Sequence, residues 1–132
     1  MALPMEIDIL IIDDNSPDGT AGIVKTKQSE YAERLHLLER AGKQGLGKAY
    51  IAGFRWALEH GYEYISEMDC DFSHPVDKLV ELNNAVISGR ADVAIGSRYT
   101  EGGSVKNWPL SRIAISYGAS LYVRLITGFP VK

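Results

Sequence analysis

The sequence predicts an α/β domain with a mostly parallel sheet and helices on both faces. Four short apolar segments rich in β-branched residues alternate with four segments of helical periodicity. The strand-like segments run into polar or glycine-containing turns, as buried strands of α/β folds do. The 132 residues, of which 45% are hydrophobic and 23% charged, suffice for one core. We therefore interpret residues 1–132 as a single domain.

The first half of the chain holds two predicted strands and two predicted helices. In chain order these elements are Ile7–Ile12, Thr20–Tyr31, Leu35–Glu39 and Gly47–His60. Asp18 or Thr20 can cap the first helix. The loop at 40–48 combines several glycines with three cations, so it is either a structural loop or a place where Lys43 or Lys48 meets an anion.

The second half repeats the alternation of strand and helix. Its predicted elements are Tyr64–Met68, Pro75–Ser88, Asp92–Ser97 and Leu110–Thr127. Proline suits the first turn of a helix, which places the start of the third helix at Pro75. The last helix mixes apolar and cationic residues, so it can cover the core or lie against a membrane surface.

Composition excludes several classes of protein. A net charge of -3 gives no global basic field, so we expect no nucleic-acid partner. Cys70 is the only cysteine, which rules out an intrachain disulfide. The first residues lack a signal-peptide pattern, and no run reaches the roughly 18 apolar residues of a membrane span. These features predict a cytoplasmic location, with peripheral association at the cytoplasmic membrane face as a further option.

Two carboxylates, Asp69 and Asp71, follow the third predicted strand with one residue between them. If strand geometry continues through them, both side chains point to one face and could reach one ion, and oxygen ligands suit Mg²⁺ or Mn²⁺. The alternative is a polar turn with two solvated acids. Parallel strands bring their carboxyl ends to one edge, which would gather the polar strand ends into a ligand cleft. Those ends are Asp13-Asp14, Arg40, Asp69-Cys70-Asp71 and Arg98.

Carboxylates that hold a cation, together with arginines, suit a diphosphate leaving group. Arg98 and Arg112 can each give planar, bidentate donors to phosphate oxygens.

Four motifs in order carry a resemblance to a known family. They are Ile11-Ile12-Asp13-Asp14-Asn15-Ser16-Pro17-Asp18-Gly19-Thr20, Gly42-Lys43-Gln44-Gly45-Leu46-Gly47, Met68-Asp69-Cys70-Asp71-Phe72-Ser73-His74-Pro75 and Gly96-Ser97-Arg98-Tyr99. Together they resemble the polyprenol (dolichol) phosphate mannosyltransferases, inverting glycosyltransferases with the GT-A fold. The resemblance covers nearly the whole chain and continues through Trp108-Pro109-Leu110-Ser111-Arg112.

The resemblance implies transfer of mannose from GDP-mannose, the nucleotide-sugar donor, to a polyprenyl phosphate at a membrane surface. It implies Asp69, Asp71 and Arg98 as catalytic residues, and Asp69, Asp71 and Ser73 around a Mg²⁺ or Mn²⁺ ion. Ser73 stands where some relatives carry a metal-binding glutamine. The implied substrate-binding residues are Asp13 and Asp14 at the nucleoside, with Lys43, Cys70, Arg98 and Arg112.

The chain departs from the family at both ends. Relatives begin with a strand bearing a Pro-Thr-Tyr-Asn-Glu-like motif, which lies between the strands at Ile7 and Tyr64, and they continue beyond Lys132. We therefore expect a fragment that is inactive or weakly active alone and that self-associates through exposed strand edges.

Three alternatives remain at this stage. A receiver-type phosphoacceptor domain explains Asp13-Asp14, and a haloacid-dehalogenase-type phosphatase explains Asp69-Cys70-Asp71. A nucleotide-binding fragment without catalysis is the third.

Overall fold

The computed structural model describes residues 5–31, 33–71, 74–97 and 109–128. Its elements are β1 (Ile9–Asp13), α1 (Thr20–Gln28), β2 (Leu35–Glu39), α2 (Leu46–Glu59), α3 (Lys78–Ile87) and α4 (Leu110–Thr127). β1 and β2 are parallel, and their register runs from Ile9 opposite Leu35 to Asp13 opposite Glu39. The predicted α/β class with parallel strands is confirmed.

The chain divides into two compact units, Met1–Ala91 and Asp92–Lys132. The first unit contains β1, α1, β2, α2 and α3, and the second contains α4. The interpretation of residues 1–132 as one domain stays a prediction.

The β1–α1–β2 connection is held by local hydrogen bonds. Gly19 adopts φ 83°, and one Asp18 carboxylate oxygen accepts hydrogen bonds from the Thr20 backbone N–H at 3.0 Å and hydroxyl at 2.7 Å. The N-cap of α1 is Gly19, so the prediction of Asp18 or Thr20 as the cap is wrong; Asp18 instead holds the first residue of the helix from the position before the cap. α1 ends at Gln28, three residues before the predicted end, where the Gln28 amide donates to the Leu35 carbonyl at 2.9 Å. The end of α1 is thereby fixed to the start of β2.

α2 packs closely on β1 through a glycine. Gly53 and Ala57 are its buried residues. A methyl group added at Gly53 would lie 2.6 Å from Cδ1 of Ile12 and 4.0 Å from a methyl of Leu10. α2 therefore covers the face of β1 that carries these two side chains, because alternate residues of a strand share a face.

We expect Gly53→Val to lower the free energy of unfolding by about 1–3 kcal/mol, because the new side chain overlaps Ile12. Gly47→Val is the matched control: it lies in the same helix, nothing lies within 4 Å of its added Cβ, and the propensity change is the same in kind. Urea unfolding followed by circular dichroism measures both. Equal stability of the two variants would show that α2 does not lie this close to β1.

The third and fourth predicted strands are wrong. Neither Tyr64–Met68 nor Asp92–Ser97 contains a strand residue. Large apolar side chains of both segments are exposed, Tyr64 to 48% and Val93 to 73%. A strand forms only against a neighbour that completes its hydrogen bonds. The only sheet among the described residues is the pair of β1 and β2, so neither segment has a neighbour to pair with there. The expected edge of four strand ends therefore reduces to the ends of β1 and β2.

α3 begins at Lys78, three residues after the predicted start at Pro75. The Pro75 carbonyl accepts the Lys78 N–H at 3.1 Å in a turn that precedes the helix. α4 matches its predicted bounds and exposes large apolar side chains, with Leu110 at 84% and Leu125 at 77%. No helix in the described ranges is long and apolar enough to cross a membrane.

Candidate functional site

Asp13 closes the end of β1. Its side chain is buried, with the residue 4% exposed, and one carboxylate oxygen accepts the Ser16 N–H at 3.1 Å. Its backbone carbonyl accepts the Arg40 N–H at 2.8 Å and so extends the pairing with the chain that leaves β2. The carboxylate that was predicted to bind substrate therefore shapes the turn after β1.

Asp14 and Arg40 form an ion pair across the two strand ends. Oδ1 of Asp14 lies 3.1 Å from Nη1 of Arg40, and the side chains are only 19% and 11% exposed respectively. Both atoms are buried, and within the described ranges neither makes a hydrogen bond of suitable geometry. The pair is thus held by charge across the ends of β1 and β2. Sequence reasoning placed Arg40 at this edge but did not include it among the site residues.

Asp69 is held beside the start of α2. The Tyr50 hydroxyl donates to a carboxylate oxygen of Asp69 at 3.3 Å, across a separation of 19 residues. Burial and then the negative charge of Asp69 raise the pKa of Tyr50 above its usual value. Tyr50 accordingly stays protonated at neutral pH and keeps its donor. No signal in the sequence indicated this role of Tyr50, because helical spacing does not show which distant carboxylate a hydroxyl reaches.

Cys70 is exposed and follows Asp69 directly, and Asp71 is exposed as well. The described ranges contain no group of three or more His, Cys, Asp or Glu side chains arranged to hold a metal ion. Mg²⁺ commonly binds through one or two carboxylates plus substrate phosphates. Asp69 and Asp71 have the donor chemistry for an ion shared with a diphosphate, but they do not follow a strand, so the premise that strand geometry points both side chains to one face is not met.

The remaining predicted residues are placed as follows. Lys43 is exposed in the loop between β2 and α2. Arg112 lies in the first turn of α4, in the second unit. Ser73 and Arg98 lie outside the described residues. Within the first unit, the structure thus brings Asp14 to Arg40 and Asp69 to Tyr50.

Comparison with known proteins gives one family and a set of named relatives. The family described as "Glycosyl transferase family 2" matches residues 3–130. A polyprenol monophosphomannose synthase of Mycolicibacterium smegmatis is 46% identical over 126 residues, which are 96% of this chain and 47% of the relative. An undecaprenyl-phosphate mannosyltransferase of Micrococcus luteus is 50% identical over 123 residues, 93% of this chain and 49% of the relative.

A dolichol-phosphate mannosyltransferase of Pyrococcus furiosus is 36% identical over 121 residues, 92% of this chain and 33% of the relative. The chain thus spans about half the length of the first two relatives and a third of the last. No solved structure matches the chain significantly.

The match covers almost every residue, and the family's GT-A, Rossmann-like fold agrees with the parallel strands and alternating helices described above. Neither a receiver domain nor a haloacid-dehalogenase-type phosphatase has this family assignment. The chain belongs to glycosyl transferase family 2.

Proposed function

We propose that the protein to which this chain belongs transfers mannose from GDP-mannose to a polyprenyl phosphate, with inversion at the anomeric carbon. The observation that carries this proposal is the 46–50% identity, over more than nine-tenths of the chain, to two enzymes named for mannose and a polyprenyl phosphate. The dolichol-phosphate mannosyltransferase supports the same acceptor class at greater sequence distance.

The chemistry assigned to the chain is a displacement at the anomeric carbon. An oxygen of the acceptor phosphate forms the new bond to carbon, and the bond to the donor diphosphate breaks with its electron pair leaving on GDP. The second pKa of a phosphate monoester is about 6, so the acceptor is anionic near neutral pH and needs no general base. The main task of the protein is then to neutralise and orient the leaving diphosphate.

Asp69 and Asp71 are the proposed holders of Mg²⁺ or Mn²⁺, with Ser73 as a third candidate ligand. The ion would supply Lewis-acid stabilisation of the departing diphosphate. Tyr50 orients the Asp69 carboxylate through its hydrogen bond. Arg98 and Arg112 are the proposed ligands of phosphate groups.

The nucleoside of the donor is assigned to the ends of β1 and β2. Asp14 supports this assignment, because its carboxylate lies at the end of β1 and is held there by the Arg40 guanidinium at 3.1 Å. Asp13 supports it only through the turn that its carboxylate holds. Lys43 and Cys70 complete the proposed substrate-binding set, and both are exposed.

A polyprenyl phosphate acceptor implies that the protein acts at a membrane surface. We propose that the protein associates peripherally with the cytoplasmic face of the membrane. The exposed apolar side chains of Tyr64, Ile65 and Met68 also favour self-association of this chain, because an extended apolar segment without a neighbour can pair with another copy.

Calorimetric titration of the 132-residue chain tests the donor assignment. GDP-mannose and GDP are expected to bind more tightly with Mn²⁺ than without it, and UDP-glucose to bind more weakly than GDP-mannose. The proposal would be contradicted if GDP-mannose bound equally well with and without Mn²⁺, or if UDP-glucose bound more tightly than GDP-mannose. Sedimentation velocity on the same samples tests self-association. A chain that stays monomeric at all micromolar concentrations would contradict the proposed self-association.

A further inference from the structure

A second cluster of cations lines a cavity beside α2, in the first unit. The cavity has a volume of about 370 Å³ and is lined by Arg40, Gln44, Lys48, Ile51, Ala52 and Arg55. We call it the cationic pocket. Ligand-binding clefts start at roughly 300 Å³, so it is large enough for a small organic molecule.

The cationic pocket carries excess positive charge in a chain whose net charge is -3. Arg40 is balanced by Asp14 at 3.1 Å. Lys48 and Arg55 have no carboxylate partner among the described residues, and no carboxylate lines the pocket there. Two cations therefore face this cavity without compensation.

The start of α2 adds hydrogen-bond donors. Gly45 precedes the helix, its N-cap position makes no side-chain hydrogen bond, and the first turn contains no acidic residue. Backbone N–H groups at such a helix start favour anions. Nη1 of Arg40 is buried and has no hydrogen-bond partner among the described residues. The two uncompensated cations, one of them in the first turn of α2, therefore favour an anion in the pocket.

Helical geometry turns Lys48 and Arg55 away from Tyr50, the residue that contacts Asp69, whereas Arg40 adjoins Asp14 at the end of β1. Successive residues of a helix rotate by about 100°, so Lys48 and Arg55 lie on one side of α2. Tyr50, which contacts Asp69, lies roughly 200° from Lys48 around the helix axis. Ile51 and Ala52 line the pocket between the two cations and give it apolar surface.

We propose that the cationic pocket binds a phosphate ester, with its phosphate held by Lys48, Arg55 and Arg40 and its organic part against Ile51 and Ala52. A soluble phosphate ester and the phosphodiester headgroup of an anionic lipid share this chemistry. Binding there requires neither Asp69 nor Asp71, and the inference goes beyond the proposed transfer reaction.

The test uses the 132-residue chain carrying Asp69→Asn and Asp71→Asn, without divalent cations. Calorimetry with inorganic phosphate and with glycerol 3-phosphate is expected to show binding, tighter for the ester. Lys48→Gln and Arg55→Gln are each expected to weaken it about tenfold or more, since each removes a charge-assisted hydrogen bond. Arg90→Gln is the matched control, because Arg90 is exposed and does not line the pocket.

Flotation with vesicles of phosphatidylcholine, with and without one-fifth phosphatidylglycerol, distinguishes the two sources. Binding to phosphatidylglycerol vesicles that is lost in Arg55→Gln and kept in Arg90→Gln assigns the pocket to a lipid headgroup, and binding of glycerol 3-phosphate alone assigns it to a soluble ester. Absence of binding to every probe, or equal losses in Arg55→Gln and Arg90→Gln, overturns the proposal. Loss of GDP-mannose binding with phosphate binding retained would count only against the proposed transfer function.

Discussion

Asp71→Ala is expected to remove the Mn²⁺-dependent part of GDP-mannose binding and to leave only the affinity measured without metal. If the metal is shared between two carboxylates and the diphosphate, loss of one carboxylate removes a ligand that no nearby side chain replaces: the described ranges hold no larger group of candidate ligands. We expect at least a 100-fold loss in the presence of Mn²⁺, equivalent to about 2.7 kcal/mol. Calorimetric titration with GDP-mannose measures it.

The matched control for this loss is Asp77→Ala. Asp77 is an exposed acid six positions along the same segment, and its side chain does not cap α3. Asp77→Ala changes the net charge by the same amount as Asp71→Ala. The affinities for GDP-mannose with and without Mn²⁺ should both stay within about twofold of those of the unchanged chain, since exposed charges interact weakly. An equal loss in Asp77→Ala would mean that general electrostatics, and not a metal site, explains the result.

Tyr50→Phe should give a graded version of the same effect. It removes the hydrogen bond to Asp69 without removing a carboxylate. Outer-shell partners of metal ligands affect affinity by up to about 10- to 100-fold, and the long distance of 3.3 Å favours the lower end. A loss confined to titrations with Mn²⁺ would identify Tyr50 as a positioning residue, and an equal loss without Mn²⁺ would contradict that role.

Elements defined by their own periodicity could be predicted from the sequence. α4 has the predicted bounds, α2 is displaced by one residue, and β2 is exact. Two of them pack on a partner among the described residues: α2 places Gly53 against Ile12 of β1, and β2 pairs with β1. Tyr64–Met68 shows an equally strand-like sequence and forms no strand. Strand formation depends on a neighbour, which local pattern cannot supply.

The candidate site likewise contains contacts that could be predicted from the sequence and contacts that could not. The meeting of Asp14 and Arg40 follows from topology alone, because parallel strands that are adjacent in the sheet end side by side. The contact between Tyr50 and Asp69 depends on the path of the chain after α2, and no spacing rule encodes it. Of the cationic pocket, the sequence predicted only that Lys48 could meet an anion. Arg55 lines the pocket because it lies on the same side of α2 as Lys48, and Arg40 lines it because it directly follows β2.

Arg40→Met is expected to lower the free energy of unfolding by about 2–3 kcal/mol. Removing one partner of a fully buried ion pair costs about 3–5 kcal/mol, because the remaining charge stays desolvated. The exposures of 11% for Arg40 and 19% for Asp14 reduce this figure. Asp14→Asn should cost less, because the amide keeps an oxygen acceptor facing the guanidinium. Urea unfolding at pH 7 gives each value.

The ion pair between Lys25 and Glu39 tests whether burial or distance decides how much an ion pair stabilises the fold. Its atoms are closer, at 2.7 Å, yet its side chains are 56% and 49% exposed. Lys25→Met should therefore cost no more than about 1 kcal/mol, because water screens the charge that remains. In the double variant of Arg40→Met and Asp14→Asn the loss should be smaller than the sum of the two single losses, since neither charge is then stranded. Additive losses at Asp14 and Arg40, or an equal cost at Lys25, would show that the ends of β1 and β2 are not held by this buried pair.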